Sequence, residues 1–313
     1  MEKSLFLSFH GRIIDHLGIQ MYQSPTAAIA EMVSNSWDAD ATEVKITLPT
    51  HDDFSITIQD NGIGMTLEEC QNKFLTVGYD KRKNNAKTLS RDLKRPLMGR
   101  KGIGKFAGFG IASVITVTTI SKDTGEKTSF VLDIDKIRDS SNDDYINTSK
   151  LTIDVIERVE PNNELKKAHG TTIKLTCLKI QRLISADFFA TSMARRFSVN
   201  AAAADFYVSI DGKLIPTEDF LSKSEMSFPK DYKQDEKPKG LTEIDKDGWG
   251  TEMVGDHQIK WRVFFLKETI KEEELQGISI FSHGKLAQRP FMFNLAGGLP
   301  SQNGPEYMTG AVL

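Results

Sequence analysis

The sequence predicts an α+β protein, and three observations carry that expectation. Residues 25–38 show the apolar period of a helix that lies on a sheet. Several short runs alternate apolar and polar residues, as half-buried strands do. The 313 residues contain no internal repeat or low-complexity tract and allow one large or two medium domains.

The helix is the centre of the pattern. Ser24-Pro25 supplies an N-cap and a proline at the first helical position. Ile29, Met32, Val33 and Trp37 form an apolar stripe, while Glu31, Asn35 and Asp38, at i, i+4 and i+7, share the opposite face. A solvated face would look similar, but Asn and Asp are poor helix formers, and Lys, Glu or Gln would serve solvation better. Upstream, residues 1–23 read as an N-terminal arm or short helix around Ile13, Ile14, Leu17 and Ile19, suited to core packing or to a partner subunit.

Downstream, Val44, Ile46 and Leu48 mark one strand, and Phe54, Ile56 and Ile58 a second. The second runs into Asp60-Asn61-Gly62-Ile63-Gly64-Met65. A carboxylate at a strand end can accept a hydrogen bond from an exocyclic amine, and glycines let a ligand come close. An ordinary turn would carry the same residues. From residue 66 the chain is first helix-like (Leu67, Cys70, Phe74, Leu75). It then turns basic, with Lys81, Arg82, Lys83, Lys87, Arg91, Lys94 and Arg95. That stretch suits a lid beside a phosphate, or a solvated loop.

Gly99–Gly110 comes next, with glycines that can turn N–H groups toward an anion and a following helix whose N-terminus can do the same. Gly99-x4-Gly104-Lys105 nearly fits a P-loop, but Phe106 stands where Ser or Thr would bind Mg²⁺, and Lys94-Arg95-Pro96 precedes it instead of a strand. Gly102-x-Gly104-x-x-Ala107 nearly fits a dinucleotide fingerprint and lacks the same strand. A phosphate loop of different architecture fits both departures. Residues 114–120, 130–134, 151–159 and 169–175 then read as strands, 188–197 as a helix, and Phe206, Val208 and Ile210 as a closing strand. Thr171 is placed to set a hydroxyl beside Asp60 or to sit at a strand edge.

The expected organisation is a first domain at 1–222 with a lid at about 66–105, and a linker at 223–248 rich in Lys, Asp, Pro and Gly. Residues 249–313 begin a second α/β domain that is cut short at Leu313. The hydrophobic fraction of 39% and charged fraction of 27% are those of a soluble globular protein. A net charge of -3 gives no global field toward nucleic acid or membrane, and no apolar run could span a bilayer. Cys70 and Cys177 stand far apart without a CxxC pair, against a zinc site or disulfide framework and consistent with a reducing, cytoplasmic setting.

Four motifs occur in fixed order: E-x-x-x-N-x-x-D-A at Glu31–Ala39, D-x-G-x-G-M at Asp60–Met65, G-x-x-G-x-G-K at Gly99–Lys105, and H-G-T at His169–Thr171. Together they resemble the GHKL ATPases, the superfamily of gyrase B subunits, ninety-kilodalton heat-shock chaperones, histidine kinases and MutL proteins. The wording around Glu31 looks closest to the chaperone, MutL and microrchidia branches. The resemblance implies a Bergerat-type sandwich, a mixed sheet covered by helices on one face.

It also implies roles. Glu31 would be the general base, Asn35 the ligand of Mg²⁺, and Asp38 a support of that shell through water. Asp60 would bind the adenine amino group, with Thr171 sharing a water and Gly64 and Met65 bordering the base. Gly102, Gly104, Lys105 and Phe106 would close over the phosphates of ATP. Lys285 is the candidate cation for the γ-phosphate from the following domain. The expectation is therefore an Mg-dependent ATPase acting as a nucleotide-gated homodimerisation switch for a larger protein that works on DNA or protein. A dimerisation module with negligible turnover is the alternative. A histidine-kinase-like phosphotransferase is disfavoured, because histidine kinases lack the glutamate found here as Glu31.

Overall fold

The computed structural model describes residues 5–7, 24–76, 89–99, 104–139, 151–201, 206–215, 223–233, 235–270, 276–282, 285–291 and 305–313. Contacts divide the chain into two units. The first comprises Met1–Ala194 and Val199–Pro216, and the second Thr217–Leu313 with Arg195–Ser198.

In the first unit, strands β1 (Leu5–Leu7), β2 (Glu43–Thr47), β3 (Ile56–Asp60), β4 (Ala112–Ile120), β5 (Lys127–Asp133), β6 (Leu151–Val159), β7 (Gly170–Leu178), β8 (Tyr207–Ile210) and β9 (Lys213–Leu214) form one sheet. Its order is β1-β6-β5-β4-β7-β3-β2-β8-β9. Neighbours are antiparallel except β2 and β8, which makes the sheet mixed.

The register explains where the site falls. One cross-strand row is Ile56, Leu175, Ile115 and Leu132, and the next is Ile46, Ile58, Ile173, Val117 and Phe130. All nine are buried. The third row on the same face reads Val44, Asp60, Thr171, Thr119 and Thr128. Paired residues share a face, so the inner surface changes from apolar to polar along the strands.

Helix α1 (Pro25–Asp38) lies over this surface. Ile29, Met32, Val33 and Trp37 are buried as the period predicts. Each such burial is worth roughly 1.5–3 kcal/mol. Pro25 opens the helix, but Ser24 makes no side-chain cap bond, a departure from expectation. The glycine-rich segment re-enters as a 3-10 turn, Gly104–Gly110, and not as the expected α-helix. Three glycines in seven residues disfavour the α form. The turn is wedged between helix and sheet: a Cβ built on Gly108 would lie 2.6 Å from Met32 Cε, 2.9 Å from Ile115 Cδ1 and 3.0 Å from Leu175 Cδ2.

The short helix α2 (Leu67–Glu69) carries a capping box between Thr66 and Glu69 and runs on as a π turn, Cys70–Phe74. Helix α3 (Ile134–Asp139) follows β5, and helix α4 (Ala186–Ala201) precedes β8. Phe54, expected to open β3, lies outside that strand and is exposed.

The second unit is a separate seven-stranded sheet built from β10 (Ser224–Phe228), β11 (Leu241–Ile244), β12 (Gly250–Val254), β13 (His257–Leu266), β14 (Gly277–Ser282), β15 (Lys285–Phe291) and β16 (Met308–Val312). Strands β10 and β11 fall in the stretch expected as a linker. They are short and polar, with no alternation to mark them, and they gain their place by pairing with β13 and β12.

The segment 89–99, expected as part of a basic lid, is fixed to the end of α1. Arg95 is only 7% exposed. Its guanidinium sits 4.5 Å from the Trp37 ring centre and 5.7 Å from that of Phe206, and its Nη1 donates to the Ala41 carbonyl at 2.6 Å. Asp40 accepts from the N–H groups of Asp92 and Leu93. Arg91 pairs with Asp92 and Asp123, and Lys122 with Asp92. Arg91 and Arg95 are thus structural cations. Lys81, Arg82, Lys83 and Lys87 lie outside the described residues. Arg95→Ala removes the stacking and leaves the Ala41 carbonyl without this donor. We expect a loss of roughly 2–3 kcal/mol, read as a lower urea midpoint at unchanged m-value.

Candidate nucleotide site

The site gathers around the polar row of the sheet and the polar face of α1. Asp60 ends β3. Its Oδ2 accepts from the Ser36 hydroxyl at 2.8 Å, and its Oδ1 from the N–H of Gly62 at 2.9 Å and of Thr171 at 3.1 Å. Burial pushes the Asp60 carboxyl above its ordinary range, while these three donors and the nearby His169 pull the other way. The Thr171 hydroxyl lies 3.2 Å from Thr119 Oγ1 rather than on Asp60. Thr119 Oγ1 in turn accepts from the Met65 N–H at 2.9 Å.

The loop after Asp60 is held closely. Gly64 has φ of +60°, and a Cβ there would meet the Ile120 carbonyl oxygen at 1.9 Å. His169 Nδ1 is 2.6 Å from the Gly62 carbonyl, so this nitrogen must carry the proton and donate. Gly64→Ala combines left-handed strain with a backbone clash. Its expected cost is on the order of 3 kcal/mol or more, a fall of roughly 10 °C in thermal midpoint. A midpoint equal to wild type would contradict this loop geometry.

On α1, Glu31 and Asn35 are part-exposed and Asp38 is buried. Asp38 Oδ1 accepts from the Met98 N–H at 2.8 Å and Oδ2 from the Gly99 N–H at 3.1 Å. At the other end of the face, a Cβ on Gly104 would lie 2.7 Å from Glu31 Oε2. A Cβ on Gly99 would lie 4.0 Å from Asn35 Oδ1. The two ends of the glycine segment therefore sit against the two ends of the Glu31–Asn35–Asp38 face. Seven helical residues place those ends about 10 Å apart.

Of the expected site residues, Glu31, Asn35, Asp38 and Gly104 come together along α1, and Asp60, Gly64, Met65 and Thr171 along the β3–β4–β7 edge. Ser36, on α1, hydrogen-bonds Asp60 and so links the two groups. Gly102 lies outside the described residues, as do the side chains of Lys105, Phe106 and Lys285; Lys285 itself opens β15 in the second unit. Sequence reasoning missed Ser36, Thr119 and Asp40. An inward-facing threonine after buried Ile115 and Val117 was the available signal for Thr119. Among the described residues no three His, Cys, Asp or Glu side chains cluster as a metal site. A hard cation here would take the Asn35 amide oxygen and complete its shell with phosphate and water, which suits Mg²⁺.

A helix carrying acid, amide and acid beside a glycine segment, with a half-buried aspartate at the end of a neighbouring strand, defines a class of nucleotide-binding domain. Residues 22–171 match the family described as histidine kinase-, DNA gyrase B- and HSP90-like ATPases, and that stretch of the first unit carries the family likeness. A candidate type II restriction enzyme, HgiDII of Herpetosiphon aurantiacus, is 30% identical over 296 residues, 92% of this chain and 46% of that protein. Chaperone protein HtpG of Rickettsia akari is 30% identical over 153 residues, 43% of this chain and 24% of that protein. HtpG of Rickettsia typhi is 24% identical over 225 residues, 66% of this chain and 33% of that protein. The chain thus spans less than half the length of these curated relatives.

Proposed function

We propose that the first unit binds ATP with Mg²⁺, hydrolyses it, and so gates homodimerisation of a longer protein that acts on DNA. The observation that carries this reading is the seating of Gly99 and Gly104 against the two ends of the Glu31–Asn35–Asp38 face.

Asp60 accepts the amino group of adenine, and Gly64 and Met65 border the base beside Thr171. Gly102, Gly104, Lys105 and Phe106 cover the phosphates. Glu31 takes the proton of the attacking water, Asn35 holds Mg²⁺, and Asp38 supports that shell. Bound Mg²⁺ supplies neutralising charge to the phosphates, which is most of what phosphoryl transfer to water requires beyond positioning. In the structure Asp38 also fastens the start of the glycine segment through the N–H groups of Met98 and Gly99, which supports that reading. Lys285 is the candidate cation from the second unit.

DNA is favoured over a protein client by one comparison. The likeness to the candidate restriction enzyme covers 92% of the chain, whereas the two HtpG likenesses cover 43% and 66%. The free thiols of Cys70 and Cys177 support a cytoplasmic setting. The test is phosphate release with Mg·ATP, together with solution mass with and without a non-hydrolysable analogue. Release with doubling of mass is expected. Release at constant mass would sink the dimer gate, and doubling without release would leave only a binding module.

A further inference from the structure

A hydrogen-bonded seam joins the C-terminal end of α1 to residues 92–99 and leads into the glycine segment. At its far end Asp40, held at φ of +60°, accepts from the Asp92 and Leu93 N–H groups at 2.7 and 3.0 Å. Arg95 then reaches the Ala41 carbonyl. Next the Trp37 indole Nε1–H donates to the Pro96 carbonyl at 2.9 Å. The seam closes with the Met98 and Gly99 N–H groups on Asp38. Trp37, Asp40 and Arg95 are all buried.

Trp37 does more than the core asks of it. Phenylalanine at this place in the apolar stripe could pack on Phe206 with no N–H to satisfy, whereas the indole directs its one donor to the segment. The seam ends beside the Asn35 amide, since a Cβ on Gly99 would lie 4.0 Å from Asn35 Oδ1. What stands opposite Asn35 is therefore set by bonds made earlier along the segment, at Pro96 and at Asp92 and Leu93.

We infer that Trp37 and Asp40 are positioning residues for the phosphates of the nucleotide. Each acts through the backbone of residues 92–96 and not on the ligand itself. Together they fix the segment that carries Gly99 before the ligand arrives, so binding does not bear the cost of ordering it. This inference rests on the proposed placement of the phosphates beside Asn35 and Gly99, and it extends that site to the far end of α1.

The test is equilibrium titration of the full chain with Mg·ADP and with adenosine, for wild type, Trp37→Phe and Asp40→Asn, each with amide hydrogen exchange over residues 92–99. Trp37→Phe keeps an aromatic ring and drops the N–H. Asp40→Asn keeps a residue that tolerates the left-handed turn and turns an amide donor toward one of the two N–H groups. Each variant is expected to weaken Mg·ADP by roughly fivefold, the scale of one net hydrogen bond. Adenosine affinity should not change, and exchange at Met98 and Gly99 should speed up. Equal weakening of both ligands would mean a general loss of structure and overturns the inference, as does unchanged exchange at Met98 and Gly99. If the wild type binds Mg·ADP no more tightly than adenosine, the phosphate placement itself fails and this inference with it. If the wild type gains from the phosphates and both variants gain as much, only the roles of Trp37 and Asp40 fall.

Discussion

Glu31→Ala is expected to keep Mg·ATP binding within a few-fold of wild type and to lose turnover by roughly 10²–10⁴-fold, the usual contribution of a positioned general base. The expectation follows from placement. Glu31 shares a helical face with Asn35 and lies against Gly104, yet it is a full turn from the Asn35 amide and remote in sequence from Asp60. Removing its carboxylate leaves the base pocket and the Asp38 contacts to Met98 and Gly99 in place. Steady-state phosphate release, paired with equilibrium nucleotide binding, separates the two effects. Equal turnover in the variant would remove Glu31 from its role.

Asp60→Asn is expected to do the reverse. Asparagine can keep its oxygen on the Gly62 and Thr171 N–H groups and turn its amide toward the Ser36 hydroxyl, so the fold should survive. The group then facing an adenine amine is a donor instead of an acceptor. We expect at least a roughly 10²-fold loss of ADP affinity, with catalysis lost only because substrate no longer binds. Stability should move the other way. Burial raises the folded pKa of Asp60 above its ordinary 3.8. The folded state then holds the proton more tightly than the unfolded state. Its stabilising contribution is greatest below 3.8 and is lost as pH rises through the folded value. At neutral pH the Asn variant should therefore melt no lower than wild type. Binding by the wild type should weaken on acidification at a higher pH than an exposed carboxylate would dictate. A stability cost kept at a ligand-facing residue is the expected sign of a functional group.

The parts of the fold that were legible are those governed by short-range periodicity. The apolar stripe of α1 and the alternation in β2 and β3 each fix a face from neighbours within one or two turns or pleats. The place of Asp60 at a strand end was legible because the alternation of Ile56 and Ile58 runs into glycines that mark a turn. What was hidden depends on residues far apart in sequence. Arg95 reads as one more basic residue of a lid, yet it stacks on Trp37 and Phe206, 58 positions before it and 111 after. Asp40 looks like the end of a helix, and only the tertiary fold brings the Asp92 and Leu93 amides to it. Thr119 was concealed in a β-branched run, where threonine satisfies strand propensity as well as a binding role. Strands β10 and β11 were concealed by polar composition, since edge strands need little apolar surface.

The site is organised by one geometric fact, the change of the inner sheet surface from apolar to polar at the row that contains Asp60. Helix α1 crosses that boundary, so the same element buries Trp37 in the core and leaves Glu31 and Asn35 part-exposed. Ser36 joins the two faces by donating to Asp60 across the boundary.

The most direct test is a crystal structure of the full chain soaked with a non-hydrolysable ATP analogue and Mg²⁺. The account predicts the purine amino group on Asp60, the metal on the Asn35 amide oxygen, and the triphosphate under residues 99–106. An analogue bound elsewhere, with Asn35 turned to bulk solvent, would contradict it.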